Sequence, residues 1–174
     1  MTDFSRCRVT GGKRNRDWRS ILYGALLTAT LAVMAVSIGL VRLDDAGQRR
    51  AAQRSEDLQC LAENVYYEAR GEPLAGQYAV AEVTMNRVES KEFPDSVCAV
   101  VYARGAFSWT YAEDHPAPYG YEWRRARSVA GTVYDNREAP LVSGALFYHS
   151  TRVSPGWAAT RSQLVLIGHH LFYL

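Results

Sequence analysis

The chain has 174 residues, 48% of them hydrophobic and 22% charged, with a formal net charge of +2 at neutral pH. That is apolar enough to bury a core and too short for more than one substantial domain. A charge so close to zero excludes the strongly basic composition of a nucleic-acid binder, and no nucleic acid is expected as a partner.

The chain opens on a basic stretch, residues 1–20, where Arg6, Arg8, Lys13, Arg14, Arg16 and Arg19 face only Asp3 and Asp17. Residues 21–41 then run without a single charge. At 1.5 Å per helical residue such a run spans a hydrocarbon core of ~30 Å. The basic side before it predicts a cytoplasmic N-terminus. A cleavable signal peptide has a shorter apolar stretch and a clear small-residue cleavage site, which Ala32 and Ala35 supply only weakly, so a retained single-helix anchor in the cytoplasmic membrane is expected. Residues 42–57, with Asp44, Asp45 and the run from Gln48 to Arg54, read as a polar linker, either a solvated helix or a flexible stalk. Residues 58–174 remain as one slightly acidic domain outside the membrane.

Within that domain a helix is predicted over 58–70, ended by Gly71 in the left-handed conformation and by Pro73. Leu61, Val65 and Glu68 fall on one stripe of it, at 100° per residue, and the stripe should face the core. A carboxylate on an apolar stripe has two readings. It is either half of a buried ion pair, with Arg70 or another arginine, or a general acid whose pKa burial has raised. A second helix is expected over 76–90, with Val80, Val83, Thr84 and Arg87 at helical spacing and Glu82 solvated. Asp95 or Ser96 can cap a third over 97–102. The loop 105–120, rich in Gly, Pro and Tyr, is long for a compact domain. Beyond it lies a helix over 122–134 with Ala126, Val129, Ala130 and Val133 inward and Arg124, Arg125 and Arg127 on a solvated face. Two strands follow, 145–149 and 169–173, separated by the Pro155-Gly156-Trp157 turn and residues 163–167. The fold class is α+β, mostly helical with a small antiparallel sheet.

Cys7 falls on the cytoplasmic side, whereas Cys60 and Cys98 both fall in the exported domain, where an oxidising compartment favours a bridge over two buried thiols. The four histidines show no ligand spacing; His169 and His170 are adjacent and point to opposite strand faces, so no metal is expected.

The run Tyr66-Tyr67-Glu68-Ala69-Arg70-Gly71-Glu72-Pro73, followed by Gly76-Gln77-Tyr78-Ala79-Val80-Ala81 and Asn86-Arg87-Val88, resembles the SleB-type cell wall hydrolase family. The resemblance continues through Phe93-Pro94, Val97-Cys98-Ala99-Val100-Val101-Tyr102, Gly105-Ala106-Phe107-Ser108-Trp109, Ala145-Leu146-Phe147-Tyr148-His149, Trp157 and Ile167-Gly168-His169-His170-Leu171-Phe172-Tyr173, covering roughly residues 58–174. It implies a lysozyme-like domain related to lytic transglycosylases, cleaving the glycan strands of peptidoglycan without a cofactor. It implies that Glu68 is the catalytic acid, donating to the oxygen between N-acetylmuramic acid and N-acetylglucosamine and then closing a 1,6-anhydro ring as base. It also implies one absence: family members carry further cysteines flanking the Phe-Ser-Trp motif, where this chain has Gly105 and Tyr111, so the loop around that motif should be looser.

A hydrolytic glycosidase needs a second carboxylate. Glu72, Glu82, Glu113, Asp114 and Asp135 are present, but no motif places any of them, which favours a transglycosylase over a muramidase-type hydrolase. A catalytically silent wall-binding or scaffold protein is the alternative of another class. Ser108 and Trp109 are candidates for a hydroxyl and a stacking face toward a sugar, and Gln77 for a hydrogen bond to substrate. On the strand over 145–149, alternation sends Tyr148 to one face and His149 to the other, so only one of them should meet the cleft.

Overall fold

A computed structural model describes residues 18–112 and 114–174. Arg6, Arg8, Lys13, Arg14 and Arg16, with Asp3, Asp17, Cys7 and Glu113, lie outside the described residues. The chain divides into two compact units, one ending at Gln48 and the other Arg49–Leu174. In the first unit the described residues are helical and exposed, and the helix is long and apolar enough to cross a membrane.

The helix entering the second unit, α1 (Trp18–Ala69), is assigned without a break across the expected anchor, linker and first domain helix. The residues expected to form a solvated helix or a stalk are therefore helical. After α1 come α2 (Leu74–Glu89), α3 (Val97–Val101), a 3-10 turn (Ser108–Tyr111), α4 (Gly120–Asp135), β1 (Phe147–Ser150), a second 3-10 turn (Gly156–Thr160), β2 (Gln163–Ile167) and β3 (His170–Tyr173). Ser96 caps α3, accepting from the Ala99 amide at 3.4 Å.

The end of α1 differs from expectation. Gly71 is not among the glycines with positive φ, so no left-handed cap forms. Instead the Glu72 amide donates to the Ala69 carbonyl at 2.9 Å, and Pro73 opens α2, its carbonyl accepting from Gly76 and Gln77. The chain reverses in four residues, and these bonds tie the last turn of α1 to the first turn of α2.

Two clusters share the core. Cys60, Leu61, Val65, Tyr66, Ala81, Val97, Val101, Phe107 and Trp109 meet the inward stripe of α4, Ala126, Val129, Ala130 and Val133, as its spacing predicts. A second cluster joins Ala69, Ala79, Val80 and Val83 to Val142, Ala145 and Phe172, and so fastens the sheet to α2. Asn64 is fully buried between them, donating to Thr84 Oγ1 at 3.0 Å and accepting from Trp109 Nε1 at 3.2 Å. Glu82, expected in solvent, is buried and accepts from the Val142 amide at 2.9 Å. Arg125 also departs from its expected solvated face, donating to Gln77 Oε1 at 3.2 Å and lying 3.5 Å from the Arg70 and Glu72 carbonyls.

The sheet has three antiparallel strands in the order β1-β3-β2. The third, β2, occupies residues expected only to separate two strands. It is an edge strand with Leu164 and Leu166 exposed and a register shift between Gln163 and Val165, so its alternation is broken where it should be read.

Cys60 and Cys98 are bonded, closing a loop of 38 residues between α1 and α3. Replacing both by serine is expected to cost about 3–4 kcal/mol in the chain-entropy account. Urea denaturation of the full chain measures it, and an unchanged midpoint would show that the bridge adds nothing.

Candidate functional site

Glu68 sits in the last turn of α1, on the stripe that begins with the fully buried Leu61 and Val65. Because α1 ends one residue later, this carboxyl is half-buried rather than entombed, and it opens onto a cleft of about 370 Å³. Tyr67, Arg70, Gly71, Glu72, Ser150, Arg152, His169 and His170 complete the lining.

The Tyr148 hydroxyl donates to Glu68 Oε2 at 3.0 Å. Burial raises the Glu68 pKa above the ordinary carboxylate value, while the Tyr148 hydrogen bond and the nearby Arg87 charge pull it down. Desolvation is the largest of the three, so the carboxyl keeps its proton to higher pH than an exposed glutamate. Burial and the Glu68 charge push the Tyr148 hydroxyl well above the usual tyrosine range, so it acts as a donor and not as an acid. With Oε2 taken by Tyr148, the proton of a neutral Glu68 belongs on Oε1.

Arg87 is the charged group that sequence reasoning passed over. The sequence sets it with Val80, Val83 and Thr84 at helical spacing on α2, and it is buried there, donating from Nε to the Leu146 carbonyl at 2.8 Å and lying over the Phe93 and Phe107 rings. Desolvation lowers its pKa, and Tyr148 and Glu68 support its charge. An arginine at an apolar helical position beside a motif glutamate was the available signal. The arginine offered as an ion-pair partner, Arg70, lies instead over the face of Tyr66.

The alternation on β1 sends Tyr148 to Glu68 and His149 away from it. His149 is buried between the Tyr173 and Trp157 rings, with Nε2 2.9 Å from the Tyr173 hydroxyl. Its polar atoms are used inside the fold, and it does not line the cleft. Gln77 is 1% exposed, donates to the Glu72 carbonyl and accepts from Arg125, so it braces the α1–α2 turn rather than offering a hydrogen bond to substrate. Trp109 is also buried, stacked on Tyr67 with ring centroids 4.6 Å apart, and Ser108 beside it is exposed. Trp109 therefore backs a cleft residue instead of presenting its own face.

The loop around Ser108 is held at two places. The Gly105 amide donates to the Tyr111 hydroxyl, so the two positions where the family's cysteines were expected are joined without sulfur. Tyr67 donates to the Pro116 carbonyl at 2.8 Å and packs on the His115 ring. Two hydrogen bonds thus hold a loop that lacks a second disulfide.

Glu72 lies in the same cleft as Glu68, yet its oxygens are engaged. Oε2 accepts from the His169 amide at 2.8 Å, and Oε1 lies 3.2 Å from His169 Nδ1. Among the described residues, no group of three or more His, Cys, Asp and Glu gathers as metal ligands.

Residues 71–173 match the Cell Wall Hydrolase family. The chain belongs to that family. The matched stretch begins three residues after Glu68 and includes Glu72, Arg87, Tyr148 and His170. The chain is 34% identical over 122 residues to the spore cortex-lytic enzyme of Halalkalibacterium halodurans, an alignment covering 70% of this chain and 36% of that protein. With the enzyme of the same name from Oceanobacillus iheyensis it shares 38% identity over 119 residues, covering 67% of this chain and 41% of the relative. The chain thus spans about two fifths of the length of these relatives. Among solved structures it resembles the catalytic domain of the Bacillus cereus SleB protein, with a TM-score of 0.57 and 31% identity, covering 69% of this chain and 91% of that one. It also resembles the catalytic domain of the germination-specific lytic transglycosylase SleB from Bacillus anthracis, with a TM-score of 0.55 and 31% identity, covering 68% and 93%. The family membership accords with a mostly helical domain carrying a small antiparallel sheet.

A carboxyl whose folded pKa is raised loses stability on ionising: no penalty exists below its unfolded value, near 4.5, and the penalty grows as pH rises through the folded value. Glu68→Gln cannot ionise. Its stability relative to the parent is therefore expected to rise as pH climbs from about 4.5 through the folded value and to level off above it, whatever constant offset the substitution itself brings. Thermal denaturation across that range measures the slope, and a flat difference contradicts the raised pKa.

Proposed function

We propose that this chain cleaves peptidoglycan glycan strands as a lytic transglycosylase, with Glu68 as its single catalytic carboxyl. The observation that carries this reading is the Tyr148 hydroxyl bonded to Oε2 of a carboxyl whose proton is held by burial at the edge of a cleft. Family membership supplies the substrate class.

In this reading Oε1–H of Glu68 gives its proton to the glycosidic oxygen between N-acetylmuramic acid and N-acetylglucosamine. The bond from that oxygen to the muramic C1 breaks, and positive charge develops at C1. Tyr148 and Arg87 stabilise the carboxylate left behind, one by a hydrogen bond and the other by its charge. The carboxylate then takes the proton from the muramic 6-hydroxyl as that oxygen bonds to C1, which closes the 1,6-anhydro ring and restores the acid. A hydrolytic route needs a second carboxylate to activate water. Glu72 is the carboxylate sharing the cleft, and its two oxygens are already engaged by the His169 amide and ring rather than turned toward a water.

The helix over the apolar run 21–41 serves in this proposal as a retained anchor in the cytoplasmic membrane, with the second unit on the outer side where its substrate lies.

Glu68→Gln is expected to lower muropeptide release by three orders of magnitude or more, and Tyr148→Phe by roughly tenfold. Mass spectrometry of the parent digest should show 1,6-anhydromuramyl ends; reducing ends in their place would establish hydrolysis. The anchor is tested separately: the full chain should stay with membranes through an alkaline carbonate wash at its full mass of 19.5 kDa. A shortened, soluble product would show a cleaved signal.

A further inference from the structure

His170 opens β3 and is 7% exposed, yet no hydrogen bond among the described residues uses its ring nitrogens. Its Nδ1 is sealed from solvent and has no hydrogen-bond partner among the described residues. Among the described residues nothing hydrogen-bonds Nε2 either, but it is not one of the sealed atoms, and the residue lines the cleft that holds Glu68. Burial lowers the His170 pKa, so the ring is neutral near neutral pH and carries one N–H. A buried N–H with no acceptor is rarer and costlier than a bare lone pair, which assigns the proton to Nε2. The ring therefore presents one fixed donor to the cleft.

What this donor meets is limited by its surroundings. The imidazole stands edge-on to Tyr148, with ring centroids 5.1 Å apart, and beside Phe172 at 6.3 Å. Its pairing with Ser150 across β1 and β3 fixes its position along the sheet. A donor framed by aromatic rings suits a group that is an acceptor with an apolar end. A sugar hydroxyl is donor and acceptor at the same oxygen and has no apolar end; a trans acetamido group sets a carbonyl acceptor beside a methyl, with its N–H directed the opposite way.

Resting on the reading of this cleft as a glycan site, we propose that His170 binds an acetamido carbonyl of the sugar next to Glu68 through Nε2–H. It is a recognition residue, selecting N-acetylated over deacetylated strands.

The test uses the full chain in mild detergent, with Glu68→Gln to prevent cleavage, and calorimetric titration with N-acetylated chitotetraose and with its deacetylated counterpart at a pH where the amines are uncharged. Adding His170→Phe, which keeps an aromatic ring but removes the donor, should weaken the acetylated ligand about three- to tenfold and leave the deacetylated one unchanged. His170→Gln should recover part of the loss. Equal losses for both ligands would indicate a merely structural ring and overturn the proposal. Unchanged affinity in His170→Phe, or no binding of the acetylated ligand to Glu68→Gln, would overturn it as well. Muropeptide release by the unsubstituted chain separates the two levels: with release present, a negative titration removes only the His170 assignment; with release absent, both fall.

Discussion

One contact sets the position of everything around the cleft: the Glu72 carboxylate against the turn between β2 and β3. Glu72 leaves the end of α1 and accepts the His169 amide. The turn can approach so closely because residue 168 is glycine, at φ +60°, where a Cβ would stand 2.1 Å from Glu72 Oε2. Seating that turn places His170 at the start of β3, and the β1–β3 register then fixes Ser150 opposite His170 and Tyr148 opposite Phe172. The carboxyl on one element and the phenol that bonds it on another are thus brought together by a third group that touches neither.

The site is costly to keep folded. Glu68 and Arg87 are both held where desolvation disfavours their charged forms, and each lessens that cost for the other. Arg87 is further supported by the Leu146 carbonyl and two aromatic faces, so its charge persists while that of Glu68 comes and goes. The disulfide sits two turns before Glu68 on α1, and α4 braces the turn after it through Arg125. Rigid support on both sides is what a half-buried titrating group requires.

Local periodicity made part of this legible. Glu68 stands out on an apolar stripe because a helix repeats every 3.6 residues, and Tyr148 separates from His149 because a strand alternates every two. Neither rule says which strand face meets which helix, so alternation alone separates Tyr148 from His149 without choosing between them. Long-range pairings were invisible for the same reason. Glu82 looked solvated because its partner, the Val142 amide, lies sixty residues away in sequence. Gln77 looked available because Arg125 comes from another helix. The strand β2 escaped notice because its short apolar run, Leu164 to Ile167, shows no alternation to mark it as half-exposed, and Leu164 and Leu166 lie exposed on an edge with a register shift. Asn64 gave no local sign that it ties two helices to the Trp109 loop.

The strand order carries a consequence for how the protein is made. β1 and β2 bond to β3 and not to each other, and β3 is the last of the three to leave the ribosome. No two-stranded fragment of this sheet can form beforehand, so Tyr148 has no template to hold it toward Glu68 while synthesis continues. α1, which bears Glu68, is translated a hundred residues earlier and waits. The cleft is assembled in a single late step, and a nascent chain stalled short of β3 carries every other element of the fold without a cleft wall.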